Sequence, residues 1–216
     1  MFRDRFDAGE KLARELRRYR GASETLVLGV PRGGVLIGGV LARELNLKLD
    51  VMLTKKIGHP HDLEVAIGAV SLTGEILDTA QIETEKISTD YVSSEISRIR
   101  ASLQSRYKKY RAGCSVAPVA GKTVILTDDG AATGRTLCAG INLLRRQGAR
   151  AIVVALPVAS RPALRLLKAC ADEVVCLDVP YDFQSIGQYY RDFRQISDEE
   201  ARALLKESGS VIDRNR

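Results

Sequence analysis

At 216 residues the chain is long enough for one sizeable core with one or two appended elements and short for two full domains. Its composition, 45% hydrophobic and 28% charged, is that of a soluble globular protein, and no apolar run approaches the roughly 20 residues of a membrane helix. A net charge of +6 admits nucleic acid or a small polyanion and does not choose between them.

The N-terminal stretch MFRDRFDAGEKLA has neither the apolar centre nor the cleavage site of a signal peptide and reads as mature structure. Asp7 and Glu10 form a capping box, and Leu12, Leu16 and Tyr19 continue at helical spacing until Gly21. TLVLGV (25–30) is a short buried strand that runs through PRGG into VLIGGVLARELN, whose apolar residues recur at helical intervals. LDVMLTKKI (49–57) predicts a second strand, KKIGHPHDL a polar connection, and EVAIGAVSLTGEILD (64–78) a hairpin turning at Thr73-Gly74. From Thr79 to about Arg111 the spacing of Val92, Ile96, Ile99, Leu103, Tyr107 and Tyr110 predicts one long helix, basic toward its end. GKTVILTDD (121–129) is the next strand and TGRTLCAGINLLRRQG the helix after it. AIVVALPV (151–158), a helix opened by Ser160, and EVVCLDVP (173–180) complete the pattern.

Continuous Val, Ile and Leu strands alternating with helices predict a doubly wound α/β architecture, a parallel sheet covered on both faces. No repeat, low-complexity tract or linker divides the chain, so one domain is expected, with a core over about 22–180. Cys114, Cys138, Cys170 and Cys176 stand far apart with no C-x-x-C pair, and only two histidines are present. That spacing argues against a zinc cage or a disulfide framework and suits a reducing, cytoplasmic setting.

The most informative stretch is VILTDDGAATGRT (124–136). In doubly wound sheets ligands collect beyond the C-terminal strand ends, and helix N-termini with small residues bind phosphate through unpaired amides and the helix dipole. Gly130, Ala131, Ala132, Thr133, Gly134, Arg135 and Thr136 would form such a cradle, with the two threonines adding hydroxyl donors. Asp128 and Asp129 would repel phosphate and need hydroxyls or a cation. A ribose 5-phosphate satisfies both halves, its phosphate on the amides and its diol on the carboxylates. GKT at 121–123 is not a Walker A motif, because Val116 stands where that motif needs Gly and GKT precedes a strand rather than a helix.

The 13 residues from Val124 to Thr136 resemble the PRPP-binding signature of type I phosphoribosyltransferases. VPRGG (30–34) further resembles the group of phosphoribosyltransferase-domain proteins with a PRGG turn after the first strand. The resemblance implies the type I phosphoribosyltransferase fold, with a flexible loop or hairpin and a C-terminal hood over about 181–216 plus the N-terminal helix. It assigns Arg32, Gly33 and Gly34 to a pyrophosphate loop, a role that a Gly-rich strand-to-helix turn with one Arg also suits on physical grounds. KKIGHPHDLE falls where the family carries a loop closing over the reacting centre, so Lys55 and Lys56 would neutralise pyrophosphate and Glu64 would anchor the loop or assist the metal. Surface solvation explains two lysines equally simply.

PYDFQSIGQYYRDF (180–193) is similar to the hood of hypoxanthine-guanine phosphoribosyltransferases. By that likeness Phe183 stacks on the base and Asp192 meets the metal shell, although those enzymes place Asp where this loop has Ala132. The activity implied is transfer of the 5-phosphoribosyl group from PRPP to a nitrogenous base, purine-like as in salvage, with Mg²⁺ as cofactor and pyrophosphate as product. A homodimer is a further implication. The rival reading is a PRPP- or nucleotide-sensing regulator that binds nucleic acid through the basic run RIRASLQSRYKKYR (98–111).

Overall fold

A computed structural model of the protein describes residues 1–111 and 116–210, the side chains of 63, 64 and 207–210 excepted; Cys114 and the Glu64 side chain thus lie outside the described residues. The first helix, α1 (Arg5–Glu15), begins earlier than the expected Asp7–Glu10 box. Asp4 is its N-cap and accepts from Asp7 N–H at 2.8 Å, while the Asp7 carboxylate reaches back to Arg3 N–H at 3.0 Å. An acid three residues upstream thus does the capping.

The strand β1 (Thr25–Gly29) leads through PRGG into α2 (Gly33–Leu45), and β2 (Lys48–Val51) returns beside β1. Here LDVMLTKKI departs from the single strand expected. Met52 N–H still bonds Gly29 C=O, but the chain then leaves the sheet, and β3 (Thr54–His59) joins β4 (Asp62–Ser71) and β5 (Glu75–Leu77) in a separate antiparallel sheet. The stretch expected as a polar connection is therefore mostly strand of the β3–β4 hairpin, with only Pro60 and His61 between the strands, and it is held down by His59 Nε2 against Glu85 at 2.8 Å and by Tyr91 Oη donating to Gly58 C=O at 2.9 Å. The hairpin at Thr73-Gly74 forms as expected, with Ser71 Oγ accepting from Gly74 N–H. The single long helix expected from Thr79 is two, α3 (Thr79–Thr84) and α4 (Thr89–Arg111), because Lys86 adopts a left-handed φ of 52° between them.

The remaining elements are β6 (Thr123–Thr127), α5 (Arg135–Arg146), β7 (Ala151–Val158), α6 (Arg161–Cys170), β8 (Glu173–Asp178) and α7 (Asp198–Ser210). The main sheet has the order β2-β1-β6-β7-β8, every pair parallel. Alternate residues explain why its strands read as unbroken apolar runs. Val27, Ile125 and Val153 pack into one core with Leu12, Ile37 and Leu41 of α1 and α2, while Leu26, Leu126 and Val154 pack into the other with Leu137, Ile141 and Leu167 of α5 and α6. This is the expected doubly wound α/β fold.

Two further ties hold the periphery. Asp50, buried at the β2 end, accepts from Tyr107 Oη, Arg111 Nε and Ala117 N–H, fastening α4 to the sheet edge. Cys138 of α5 and Cys170 of α6 form a disulfide with Cα atoms 5.9 Å apart, which corrects the expectation of unpaired thiols. The 32-residue separation carries no motif; adjacent packing of the two helices brings the sulfurs together.

Candidate functional site at the switch in strand order

The order β2-β1-β6-β7-β8 reverses direction between β1 and β6, where a doubly wound sheet opens a crevice at its C-terminal edge. Gly29 and Thr127 are register partners, so the PRGG loop and the DDGAATGRT loop leave the sheet side by side. Val30 N–H donates to Thr127 C=O at 2.9 Å and ties their roots. Both glycines of PRGG are required by that closeness. A Cβ on Gly33 would lie 1.9 Å from Asp129 Oδ2, and one on Gly34 would lie 2.5 Å from Thr127 C=O. Arg32, at the N-cap of α2, has no ion-pair partner among the described residues.

The acid pair forms the floor between the loops. Asp128 Oδ1 accepts from Asp129 N–H at 2.8 Å. Burial, reinforced by the charge of Asp129, pushes the Asp128 carboxyl well above the ordinary carboxylate range. Asp129 is not the free carboxylate that the sequence suggests. Arg5 of α1 grips its Oδ2 from Nε at 2.9 Å and Nη2 at 2.8 Å, leaving Oδ1 with no hydrogen-bond partner among the described residues. The Arg5 guanidinium is fixed in turn by Arg194 C=O at 2.9 Å and by the Phe193 ring, whose centroid is 3.9 Å away. Tyr190 Oη donates to Asp129 C=O at 2.6 Å, and burial raises this phenol far enough that it stays protonated as donor.

The expected anion cradle narrows but stays open. Gly130 is buried against Ile186 and Val158, and Ala131 N–H is engaged by Val158 C=O at 3.0 Å, so the loop starts out stitched to β7. Ser160 continues the seam, its Oγ donating to Ala132 C=O at 2.6 Å while accepting from Ala163 N–H at 3.1 Å as the N-cap of α6. Beyond that point Ala132, Thr133, Arg135 and Thr136 are exposed. Gly134 takes the left-handed φ of 72° that starts α5, and the first helical bond runs from Cys138 N–H to Gly134 C=O. The amides of Ala132, Thr133 and Thr136 therefore face outward without partners among the described residues, the arrangement that binds phosphate at a helix N-terminus.

Phe183 is half-buried and stacks on Tyr189, with centroids 5.7 Å apart and planes 22° apart. It lines a cleft of about 660 Å³ that also reaches Ala132, so the expected stacking residue and the loop border one space. Asp192 is exposed; its carboxylate accepts from Arg194 N–H at 3.0 Å, beside the carbonyl that holds Arg5. Lys55 and Lys56 are exposed on β3, and Lys55 faces α4, where Arg98 first and Lys55 after it hold the Glu95 carboxyl low. Sequence reasoning missed Arg5, Tyr190 and Ser160. Their partners lie 124, 61 and 28 residues away, and no local pattern announces such pairings.

A family model described as phosphoribosyl transferase domain matches residues 3–194. Relatives from two strains of Mycobacterium tuberculosis, CDC 1551 and H37Rv, each provisionally named a phosphoribosyl transferase, are 35% identical over 206 residues, 95% of this chain and 46% of their own length. The chain thus spans about half the length of the curated relatives it matches. The crystal structure of TT1426 from Thermus thermophilus is 41% identical, covers 95% of this chain and 98% of that one, and superposes with a TM-score of 0.85. Since the family match takes in both glycine-rich loops, the acid pair between them and Arg5 on its far side, the chain belongs to the phosphoribosyl transferase domain family.

Proposed function

We propose that the domain transfers the 5-phosphoribosyl group of PRPP to a nitrogenous acceptor with release of pyrophosphate. One observation carries the reading: outward-facing amides of the 132–136 loop and a pair of carboxylates meet at a single switch point, beside a second Gly-rich loop with an unpaired Arg. An anion and a diol of the same small molecule would satisfy these groups together.

In this mechanism the amides of Ala132, Thr133 and Thr136 hold the 5-phosphate. Asp129 Oδ1 accepts from a ribose hydroxyl, and Arg5, bonded to Oδ2, keeps that carboxylate oriented. Arg32 faces the departing pyrophosphate, where a preorganised cation lowers the barrier by meeting charge as it develops. The transition state has oxocarbenium character, so the protein's work is positioning and charge stabilisation rather than covalent chemistry.

Among the described residues no cluster of three or more Asp, Glu, His or Cys could hold a metal by itself. An acid pair beside an anion site fits a magnesium ion that arrives with its diphosphate, because Mg²⁺ keeps waters and phosphate oxygens and takes only one or two carboxylates. Asp129 Oδ1 would reach it directly and Asp192 through water, and the ion would supply neutralisation of the leaving pyrophosphate.

Nucleic-acid binding through α4 has less support. Arg98 pairs with Glu95, Arg100 with Glu75 and Arg111 with Asp50, so much of the basic run is neutralised within the fold. The test is pyrophosphate release by the purified chain with PRPP and Mg²⁺ across a panel of bases, alongside calorimetric PRPP binding. Absence of PRPP binding would overturn the proposal.

A further inference from the structure

Beyond the phosphate loop, the cleft that Phe183 lines has a one-sided chemistry. Its volume of about 660 Å³ is in the range of small-molecule sites, and it begins at Ala132, on the loop that would hold the sugar phosphate. Phe183 and Pro180 supply flat apolar surface. Facing them are Arg161 and Arg165, one turn apart on the same side of α6. The Arg161 guanidinium lies 4.6 Å from the centroid of the Tyr181 ring, which holds it at the cleft edge.

Neither arginine has an acidic partner among the described residues, and no carboxylate lines the cleft. Among the other exposed arginines, Arg145 pairs with Asp172, Arg194 with Glu200 and Arg18 with Glu173, whereas Arg161 and Arg165 stand together on a cleft wall with no acid between them. Two unpaired guanidinium groups one helical turn apart repel each other, a penalty that an anion between them would reverse. The remaining polar groups reinforce the asymmetry. Ser160 Oγ is already engaged on both sides, so the free side-chain groups are the two arginines, the Tyr181 hydroxyl and the Gln184 amide, none of them anionic at neutral pH. A neutral base would leave the cations unanswered, whereas a carboxylate takes the two-pronged hydrogen bonds that guanidinium offers.

We infer that the acceptor is anionic: a planar nitrogen heterocycle bearing a carboxylate, stacked on Phe183 and held through that carboxylate by Arg161 and Arg165. This rests on the phosphoribosyl-transfer reading and narrows its acceptor. The ring-nitrogen lone pair forms the new bond to C1 as the bond from C1 to the pyrophosphate oxygen breaks. That electron pair leaves with pyrophosphate, and any proton on the attacking nitrogen passes to solvent.

The experiment uses matched acceptors differing in the carboxylate alone, orotate against uracil and nicotinate against nicotinamide. Pyrophosphate release is measured with PRPP and Mg²⁺, and binding to the PRPP-loaded protein by calorimetry. At least one carboxylate member should bind, with kcat/KM or affinity at least tenfold above its neutral partner. Arg161→Gln and Arg165→Gln should each cut that ratio at least tenfold while the Kd for PRPP stays within twofold. If PRPP fails to bind, the transfer reading falls and this inference with it. If PRPP binds but the neutral members are equal or better, if neither carboxylate binds, or if the variants leave the ratio unchanged, the anionic acceptor alone is refuted.

Discussion

Replacing Arg5 by Ala tests whether the acid pair is held from outside its own loop. The Arg5 side chain is 8% exposed and that of Asp129 14%, so their 2.8 Å contact is poorly screened by solvent. Removing one partner of a buried pair strands the other charge and costs about 3–5 kcal/mol. Loss of the guanidinium over Phe193, 3.9 Å from the ring centroid, adds about 1 kcal/mol. For a chain of this size each kcal/mol moves Tm by about 2–4 °C, so a total of about 4–6 kcal/mol should lower the Tm of Arg5→Ala by about 8–24 °C. Urea denaturation gives the free energy directly. Adding Asp129→Asn removes the stranded charge, and the double variant should recover at least about 2 kcal/mol, the coupling expected of a direct pair. A loss under about 1 kcal/mol in the single variant, or no recovery in the double, would show that the pair does not anchor the site.

Asp128→Asn should stabilise the fold at pH 8, because it removes a carboxylate whose ionisation burial disfavours. The folded state holds the Asp128 proton more tightly than the unfolded chain does, so the stability this group gives the wild type is fully present below the ordinary value of 3.8 and lost as pH rises through its raised folded value. The advantage of the variant in urea denaturation should therefore shrink as pH falls toward 4. Gly33→Ala places a Cβ 1.9 Å from Asp129 Oδ2 and should destabilise by about 1–3 kcal/mol while weakening PRPP binding in calorimetry. Cys138→Ser should cost about 3–4 kcal/mol for a loop of 32 residues, with dithiothreitol lowering the wild-type Tm comparably and leaving the variant unmoved. Burial pushes the Cys176 thiol up to about 11, so peptide mapping after iodoacetamide at pH 8 should find it scarcely alkylated until the protein is unfolded.

The sheet was legible because each central strand is buried on both faces, which leaves a continuous apolar run such as Val124 to Leu126. The loop from Gly130 to Thr136 was legible as a strand-to-helix turn because its glycines act through local backbone, Gly134 taking the left-handed φ that starts α5. What escaped was set by other criteria. The division of residues 49–57 between two sheets depends on which partner strand each half meets, and the apolar pattern continues across it. The break at Lys86 lies in a stretch whose helical spacing resumes with little change of phase. Arg5 looked like one more charge in a charged N-terminal helix, and only the packing of α1 against the hood segment turns it toward Asp129. The cysteines show the same limit, since spacing along the chain says nothing about which helices lie together.

Ser160 sets a ruler inside the molecule. One hydroxyl, with its proton on Ala132 C=O and its lone pair on Ala163 N–H, fixes the first turn of α6 at a set distance from the 130–136 loop. Two ligands seated on either side of that hydroxyl would find their spacing already decided by protein bonds, so neither would have to surrender freedom to be aligned with the other.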